Sequence, residues 1–61
     1  MAKKRAFIFW GGWDGHEPEL VSARFQRMLE AENFEVTREN SLDRLDDIAF
    51  LRSVDLIIPC W

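Results

Sequence analysis

The segment RAFIFW, residues Arg5–Trp10, runs directly into the glycine-rich segment GGWDGHE at residues 11–17. The apolar residues of RAFIFW are continuous rather than alternating, which predicts a strand buried on both faces. Pro18 stands where a helix can begin without losing a hydrogen bond. The pattern therefore predicts a buried first strand, a glycine-rich loop and a helix that starts at Pro18.

Helix and strand patterns alternate along the rest of the chain. From residue 18 to about 32, apolar residues recur at helical spacing, and Asn33 is a left-handed stop. FEVTR at residues 34–38 predicts a half-exposed strand, residues 46–53 a shorter helix, and VDLIIP at residues 54–59 a third strand, buried like the first. The apolar positions assigned to the two helices are Leu20, Val21, Phe25, Met28 and Leu29, then Ile48, Ala49, Phe50 and Leu51. This alternation predicts an α/β fold, a doubly wound parallel sheet with strand order 2-1-3.

The chain has too few helices to cover the strands that its sequence predicts to be buried, which indicates part of a larger domain. The chain has 61 residues, of which 48% are hydrophobic, and its single cysteine excludes an internal disulfide. Two strands are predicted to be covered on both faces, but only two helices are present. We therefore expect residues 1–61 to be the N-terminal part of a single larger domain. The isolated chain is expected to be poorly soluble, partly folded or oligomeric.

The charge distribution disfavours polyanionic partners. The net charge is −3, and Lys3, Lys4 and Arg5 are three of the eight basic residues. Nucleic acid requires a basic face, which the remainder of the chain does not supply. The apolar run at residues 6–10 is too short to span a bilayer. We expect a cytoplasmic protein, with a small-molecule partner and homo-oligomerisation as an option, that binds neither nucleic acid nor membrane.

The glycine-rich loop is the candidate site, because doubly wound sheets bind ligands at the carboxyl ends of their strands. GGWDGHE matches neither GxGxxG nor GxxxxGK[ST]. Asp14, Glu17 and Glu19 at the start of a helix would repel a phosphate. The loop suits a neutral polyol, a carbonyl compound or a cation better.

Five residues of this loop are assigned roles. His16, the only histidine, titrates near neutrality and is the candidate general acid/base, with Asp14 to orient it. Trp13, Glu17 and Gly12 are the candidate substrate-binding residues, since a ring can stack on a sugar, a carboxylate accepts hydroxyls and a glycine permits a tight turn. Each has a structural alternative, in which the residue only shapes the turn.

Other chemistry is less well encoded. Asp14, His16 and Glu17 do not form a recognised metal-ligand spacing, so no metal is predicted, and the sequence identifies no cofactor. Trp10 continues the strand and is interpreted as core. Cys60 stands between a proline and a tryptophan with no neighbouring glycine, so it is interpreted as a buried bystander rather than a nucleophile.

The motifs GGWDGHEPE, FxxxLExExFEV and DLIIPxW, taken together, closely resemble the start of the ThuA-like family, the trehalose utilisation proteins, over essentially the whole chain. The resemblance implies a flavodoxin-like domain related to class I glutamine amidotransferases, without amidotransferase activity. It implies carbohydrate catabolism, acting on a disaccharide or keto-sugar, with Trp13, Asp14, His16 and Glu17 in the site. The alternative is a non-catalytic flavodoxin-like module that binds a ligand or a protein.

Overall fold

The computed structural model describes residues 3–13, 15 and 17–61. Its elements, in chain order, are β1 (Arg5–Trp10), α1 (Pro18–Ala31), β2 (Glu35–Glu39), a 3-10 helix (Asp43–Asp46), α2 (Ile48–Arg52) and β3 (Leu56–Cys60). The strands form one parallel sheet in the order β2-β1-β3. The predicted α/β architecture and strand order are confirmed, and they match part of a flavodoxin-like fold.

Strand β1 forms the centre of the core, as its continuous apolar run predicts. Phe7 and Ile8 are fully buried. The Phe7 ring meets Phe50 of α2 edge-on, with the ring centroids 5.0 Å apart. Trp10 has the opposite parity along the strand and lies beside the first turns of α1. The two helices therefore cover opposite faces of β1.

Helix α1 packs through a stripe of residues spaced three or four apart. Pro18 and Ser22 are buried, and Phe25 and Leu29 are half-buried on the same side. The prediction that Leu20 and Met28 belong to this face is wrong, because they lie off the stripe and are 44% and 60% exposed. The hydroxyl of Ser22, rather than an apolar side chain, occupies the most buried position of the helix.

The end of α1 sets the direction of β2. Asn33 has φ 68°, so the predicted left-handed stop is confirmed. The Asn33 N–H donates to the Glu30 carbonyl at 3.0 Å, and the Phe34 N–H donates to the Leu29 carbonyl at 2.9 Å. This pair of bonds is the Schellman motif, which ends a helix and satisfies its last carbonyls. The chain then enters β2 one residue later than predicted.

Helix α2 is shorter than predicted and contacts the sheet through Phe50, one of the four apolar residues assigned to it. Asp47 caps it, since its Oδ1 accepts the Phe50 N–H at 3.0 Å. Phe50 reaches Phe7, whereas Ile48 is 62% exposed and Ala49 is also exposed. The prediction that Ile48 and Ala49 pack on the sheet is therefore wrong, because five residues form little more than one turn and one large side chain fills the contact.

Strand β3 is not covered on both faces, which corrects the prediction that it is buried like β1. Leu56 and Ile57 are 37% and 42% exposed, because β3 is an edge strand with a neighbour on one side only. The Gly11 N–H donates to the Cys60 carbonyl, so the alternation of the backbone turns Pro59 towards the free edge. A proline there offers no N–H to an incoming strand, which limits edge pairing.

None of the helices in the described part of the chain is both long enough and apolar enough to cross a membrane.

Candidate functional site

The carboxyl ends of β1 and β3 meet at the start of the glycine-rich loop. The Gly11 N–H donates to the Cys60 carbonyl at 3.3 Å. Gly11 and Gly12 have φ values of 146° and 82°, which residues with a side chain rarely adopt. The indole of Trp61 lies against both glycines, so that a Cβ on Gly11 would come 2.6 Å from Trp61 Cζ3. The two glycines are therefore required both by the turn and by the tryptophan beside it.

Glu17 occupies an unusual position at the start of α1. It is the N-cap residue, yet it has φ 50° and ψ 52°, the left-handed conformation, and its side chain makes no capping hydrogen bond. A residue with a Cβ pays roughly 1–2 kcal/mol for this conformation. Its carbonyl accepts the Val21 N–H at 3.0 Å, and Pro18 follows at the first helical position. The carboxylate of Glu17 therefore does not cap α1, although Glu17 is the residue from which the helix starts.

A groove of about 630 Å³ lies between the start of α1 and the carboxyl ends of β1 and β2; it is called here the larger groove. Its volume falls within the range of small-molecule sites. Its lining combines one indole face and aliphatic side chains with two carboxylates and one guanidinium. The lining residues are Trp10, Glu17, Pro18, Glu19, Leu20, Ala23 and Arg38.

Arg38 of β2 joins the strand to the first turn of α1. Its Nη1 donates to the Glu19 carbonyl and to Ser22 Oγ, both at 3.1 Å. The Ser22 hydroxyl in turn donates to the Glu19 carbonyl at 2.9 Å. The guanidinium carbon lies 6.0 Å from the centre of the Trp10 ring, at the outer limit of a cation–π contact. Arg38 is thus held at the wall of the larger groove.

A smaller groove of about 140 Å³ lies on the β3 side of the same helix start, lined by Pro18, Val21, Pro59, Cys60 and Trp61. Pro18 belongs to both grooves. Burial raises the pKa of the Cys60 thiol from its ordinary value of 9.0, which keeps it protonated near neutrality. This thiol is half-buried and free of a disulfide, in keeping with a bystander rather than an activated nucleophile.

The predicted site residues divide into those that the structure describes and those that it does not. Asp14 and His16 lie outside the described residues. Glu17 lines the larger groove, and Gly12 lies under the indole of Trp61. Trp13 is 68% exposed, and its ring lies directly over Gly15, where a Cβ would collide with it.

The interpretation of one residue is corrected. Trp10 lines the larger groove rather than belonging entirely to the core, because it is the last residue of β1 and only half-buried. The absence of a side chain at Gly15 matters because the Trp13 ring passes over this residue.

The sequence reasoning did not identify Arg38 or Ser22 as part of the site. Arg38 pairs in register with Ile8, so its side chain lies on the α1 face of the sheet. This assignment could have been made from the alternation in FEVTR once the strand order was known. Ser22 carries no comparable signal, since a serine within a helix is ordinarily exposed or bonded to its own backbone.

The described residues do not bring three or more His, Cys, Asp or Glu side chains together in a way that would hold a metal ion. Comparisons of the chain with protein-family models, with curated proteins and with solved structures gave no match. The resemblance to the ThuA-like family stays a prediction.

Proposed function

We propose that this protein takes part in the use of trehalose or a related disaccharide, and that it binds a sugar or keto-sugar in the larger groove. The observation that carries the proposal is the composition of that groove. Trp10 offers an apolar ring, Glu17 and Glu19 offer hydrogen-bond acceptors, and Arg38 offers donors. Sugars need this combination, because their rings have apolar faces and edges of hydroxyl groups.

The charge of the groove supports a neutral ligand. Glu17 and Glu19 outnumber the single cation Arg38 along its lining. An anionic ligand would meet two carboxylates at the start of α1, whereas hydroxyl groups can donate to them. This supports the expectation, drawn from the loop sequence, that the ligand is not a phosphate.

The arrangement of the two grooves supports a ligand larger than one ring. The larger groove extends towards β2 and the smaller one towards β3, and the side chain of Pro18 borders both. Trp10 lines the larger groove and Trp61 lines the smaller one. A disaccharide in this position would have one ring beside each tryptophan.

Calorimetric titration of the intact protein with trehalose tests the proposal. We expect saturable binding, with Trp10→Leu weakening the affinity by roughly tenfold, the usual scale of a lost aromatic contact. Met28→Leu, an exposed change far along α1, serves as the control and should leave the affinity unchanged. A protein that is folded but binds neither trehalose nor a keto-derivative would contradict the proposal.

The enzymatic interpretation requires a separate measurement. If His16 is the general acid/base, His16→Ala should lower turnover of the bound sugar by roughly 10²–10⁴-fold while leaving its binding nearly intact. Sugar binding without turnover in the unaltered protein would instead favour the non-catalytic binding module.

A further inference from the structure

One edge of the Arg38 guanidinium has no partner among the residues that the structure describes. Nη1 makes both of the hydrogen bonds to α1. Among residues 3–13, 15 and 17–61, Nε and Nη2 have no partner, and no carboxylate forms an ion pair with Arg38. Nε and Nη2 are the two donors of the planar fork with which an arginine grips two adjacent oxygen atoms. Nε and Nη2 of Arg38 are therefore available to bind a ligand.

Ser22 holds this fork in place. It is fully buried, it accepts from Arg38 Nη1 at 3.1 Å, and it donates to the Glu19 carbonyl at 2.9 Å. The Glu19 carbonyl also accepts from Arg38 directly. The three groups close a ring of hydrogen bonds, which fixes the guanidinium before any ligand arrives. A donor that is already ordered loses less conformational entropy when it binds.

The surroundings of the fork determine which oxygen atoms it can accept. Glu17 and Glu19 line the same groove, so a phosphate or carboxylate that approached Arg38 would enter beside two negative charges. A hydroxyl group carries no net charge, accepts from the guanidinium through its oxygen, and can donate its O–H to a glutamate. Two neighbouring hydroxyl oxygens on a sugar ring match the two parallel N–H groups of the fork.

We propose that Arg38 is the specificity-determining residue of the larger groove, where its Nε and Nη2 bind a vicinal pair of hydroxyl oxygens on a neutral sugar, and that Ser22 is its positioning residue. This inference rests on the proposed function and deepens it. In this inference, Arg38 of β2 and Ser22 of α1 determine which ligands bind, rather than the glycine-rich loop.

Titrations of the intact protein with trehalose, glucuronate and glucose 6-phosphate test the inference. We expect trehalose to bind more tightly than the two anions. Arg38→Gln should weaken trehalose binding at least about tenfold, the scale of hydrogen bonds to a charged group. Arg38→Lys should weaken it similarly, because an ammonium group has no fork, and this variant serves if the glutamine variant loses its fold. Arg24→Gln removes a charge from an exposed position of α1 and is the control.

A spectroscopic readout separates the positioning role of Ser22 from a structural one. Addition of trehalose should shift the Arg38 Nε–H resonance in the unaltered protein. In Ser22→Ala, that shift should be lost or greatly reduced and the affinity lowered, even at a temperature where the variant is fully folded. An unchanged shift and affinity in a less stable Ser22→Ala protein would overturn the positioning role.

The outcomes distinguish this inference from the proposed function. If the protein binds trehalose and Arg38→Gln binds it equally well, the inference is wrong and the proposed function stands. If an anionic sugar binds more tightly than trehalose and Arg38→Gln abolishes that preference, the assigned ligand class is wrong. If neither trehalose nor its keto-derivative binds, the proposed function fails, and the inference fails with it.

Discussion

The indole of Trp61 lies across Gly12 so closely that a Cβ on Gly12 would come 2.9 Å from both Cδ1 and Nε1 of the ring. Gly12 also has φ 82°, a conformation that residues with a side chain rarely adopt. The residue that follows β3 and the residue that follows β1 by two positions are therefore fitted to each other. This contact joins the carboxyl ends of β1 and β3. The candidate site lies at the same edge of the sheet.

Replacement of Gly12 by alanine tests this fit. We expect Gly12→Ala to lower the free energy of unfolding by roughly 1–3 kcal/mol, because the new methyl group meets the indole and the backbone is strained. The same substitution in a Trp61→Ala background should cost less, since only the backbone term remains. Chemical denaturation of the four proteins gives the coupling energy. Equal costs in the two backgrounds would show that the indole does not press on Gly12.

Replacement of Glu17 is expected to stabilise the protein, whereas replacement of Gly12 is expected to destabilise it. Asparagine tolerates the left-handed conformation and is a better N-cap than glutamate. Glu17→Asn should therefore raise the free energy of unfolding by up to about 1 kcal/mol while weakening trehalose binding, because a groove carboxylate is lost. Glu30→Gln, which removes a charge from the exposed side of α1, is the control for charge alone. A variant that is less stable than the parent would show that the Glu17 backbone is not strained.

Much of the fold could be predicted from the sequence, because β1 and the end of α1 are determined locally. The unbroken apolar run of Arg5–Trp10 predicts a strand at the centre of a sheet, where both of its faces are covered. Asn33 adopts the left-handed conformation that ends α1, which asparagine tolerates well. The burial of β3 could not be predicted in this way. Its apolar run resembles that of β1, but its exposure depends on lying at the edge of the sheet, for which Pro59 is the one local signal in the strand.

The candidate site was predicted only where the loop composition determines it. Glu17 and Gly12 could be proposed from the sequence because glycines and acids before a helix are visible there, and the structure places Glu17 at the larger groove and Gly12 under the Trp61 indole. Arg38 and Ser22 are 16 residues apart and meet only through the packing of α1 on β2. A contact of this kind follows from register and helix rotation, which the sequence pattern constrains too loosely to pair two individual side chains.

The stop signal of α1 provides a test that is independent of the site. Asn33→Ala places a Cβ-bearing residue of low left-handed preference at φ 68°, and we expect a loss of roughly 1 kcal/mol in the free energy of unfolding. Asn33→Gly should be neutral or stabilising, because glycine favours this conformation. Thermal unfolding of both variants checks the prediction. An alanine variant as stable as the glycine variant would contradict the Schellman geometry.

Cys60 provides a prediction that depends on pH. Burial raises the pKa of its thiol above the ordinary value of 9.0, so the folded protein keeps the proton that the unfolded chain loses. The unfolded state therefore binds fewer protons in this interval, and the stability should fall as the pH rises through 9 towards the raised pKa. Cys60→Ser should remove this component of the pH dependence.

Alkylation gives the matching kinetic test. At pH 8, iodoacetamide should react more slowly with Cys60 in the folded protein than in urea, since the thiolate is the reactive form. Turnover in Cys60→Ser should be nearly unchanged. Faster reaction in the folded protein, or loss of turnover at an unchanged melting temperature, would indicate an activated nucleophile.

The proposed function requires a neutral sugar to bind in the larger groove, between the start of α1 and the ends of β1 and β2. Titration of the ¹⁵N-labelled protein with trehalose, followed by two-dimensional NMR, tests where the sugar binds. We predict that the largest shifts occur at the Trp10 indole N–H and at the backbone amides of Glu17, Glu19 and Leu20, and that they saturate together with one Kd. The absence of any shift at high trehalose concentration would contradict binding in this groove. Shifts confined to α2 and the outer edge of β3 would contradict it as well.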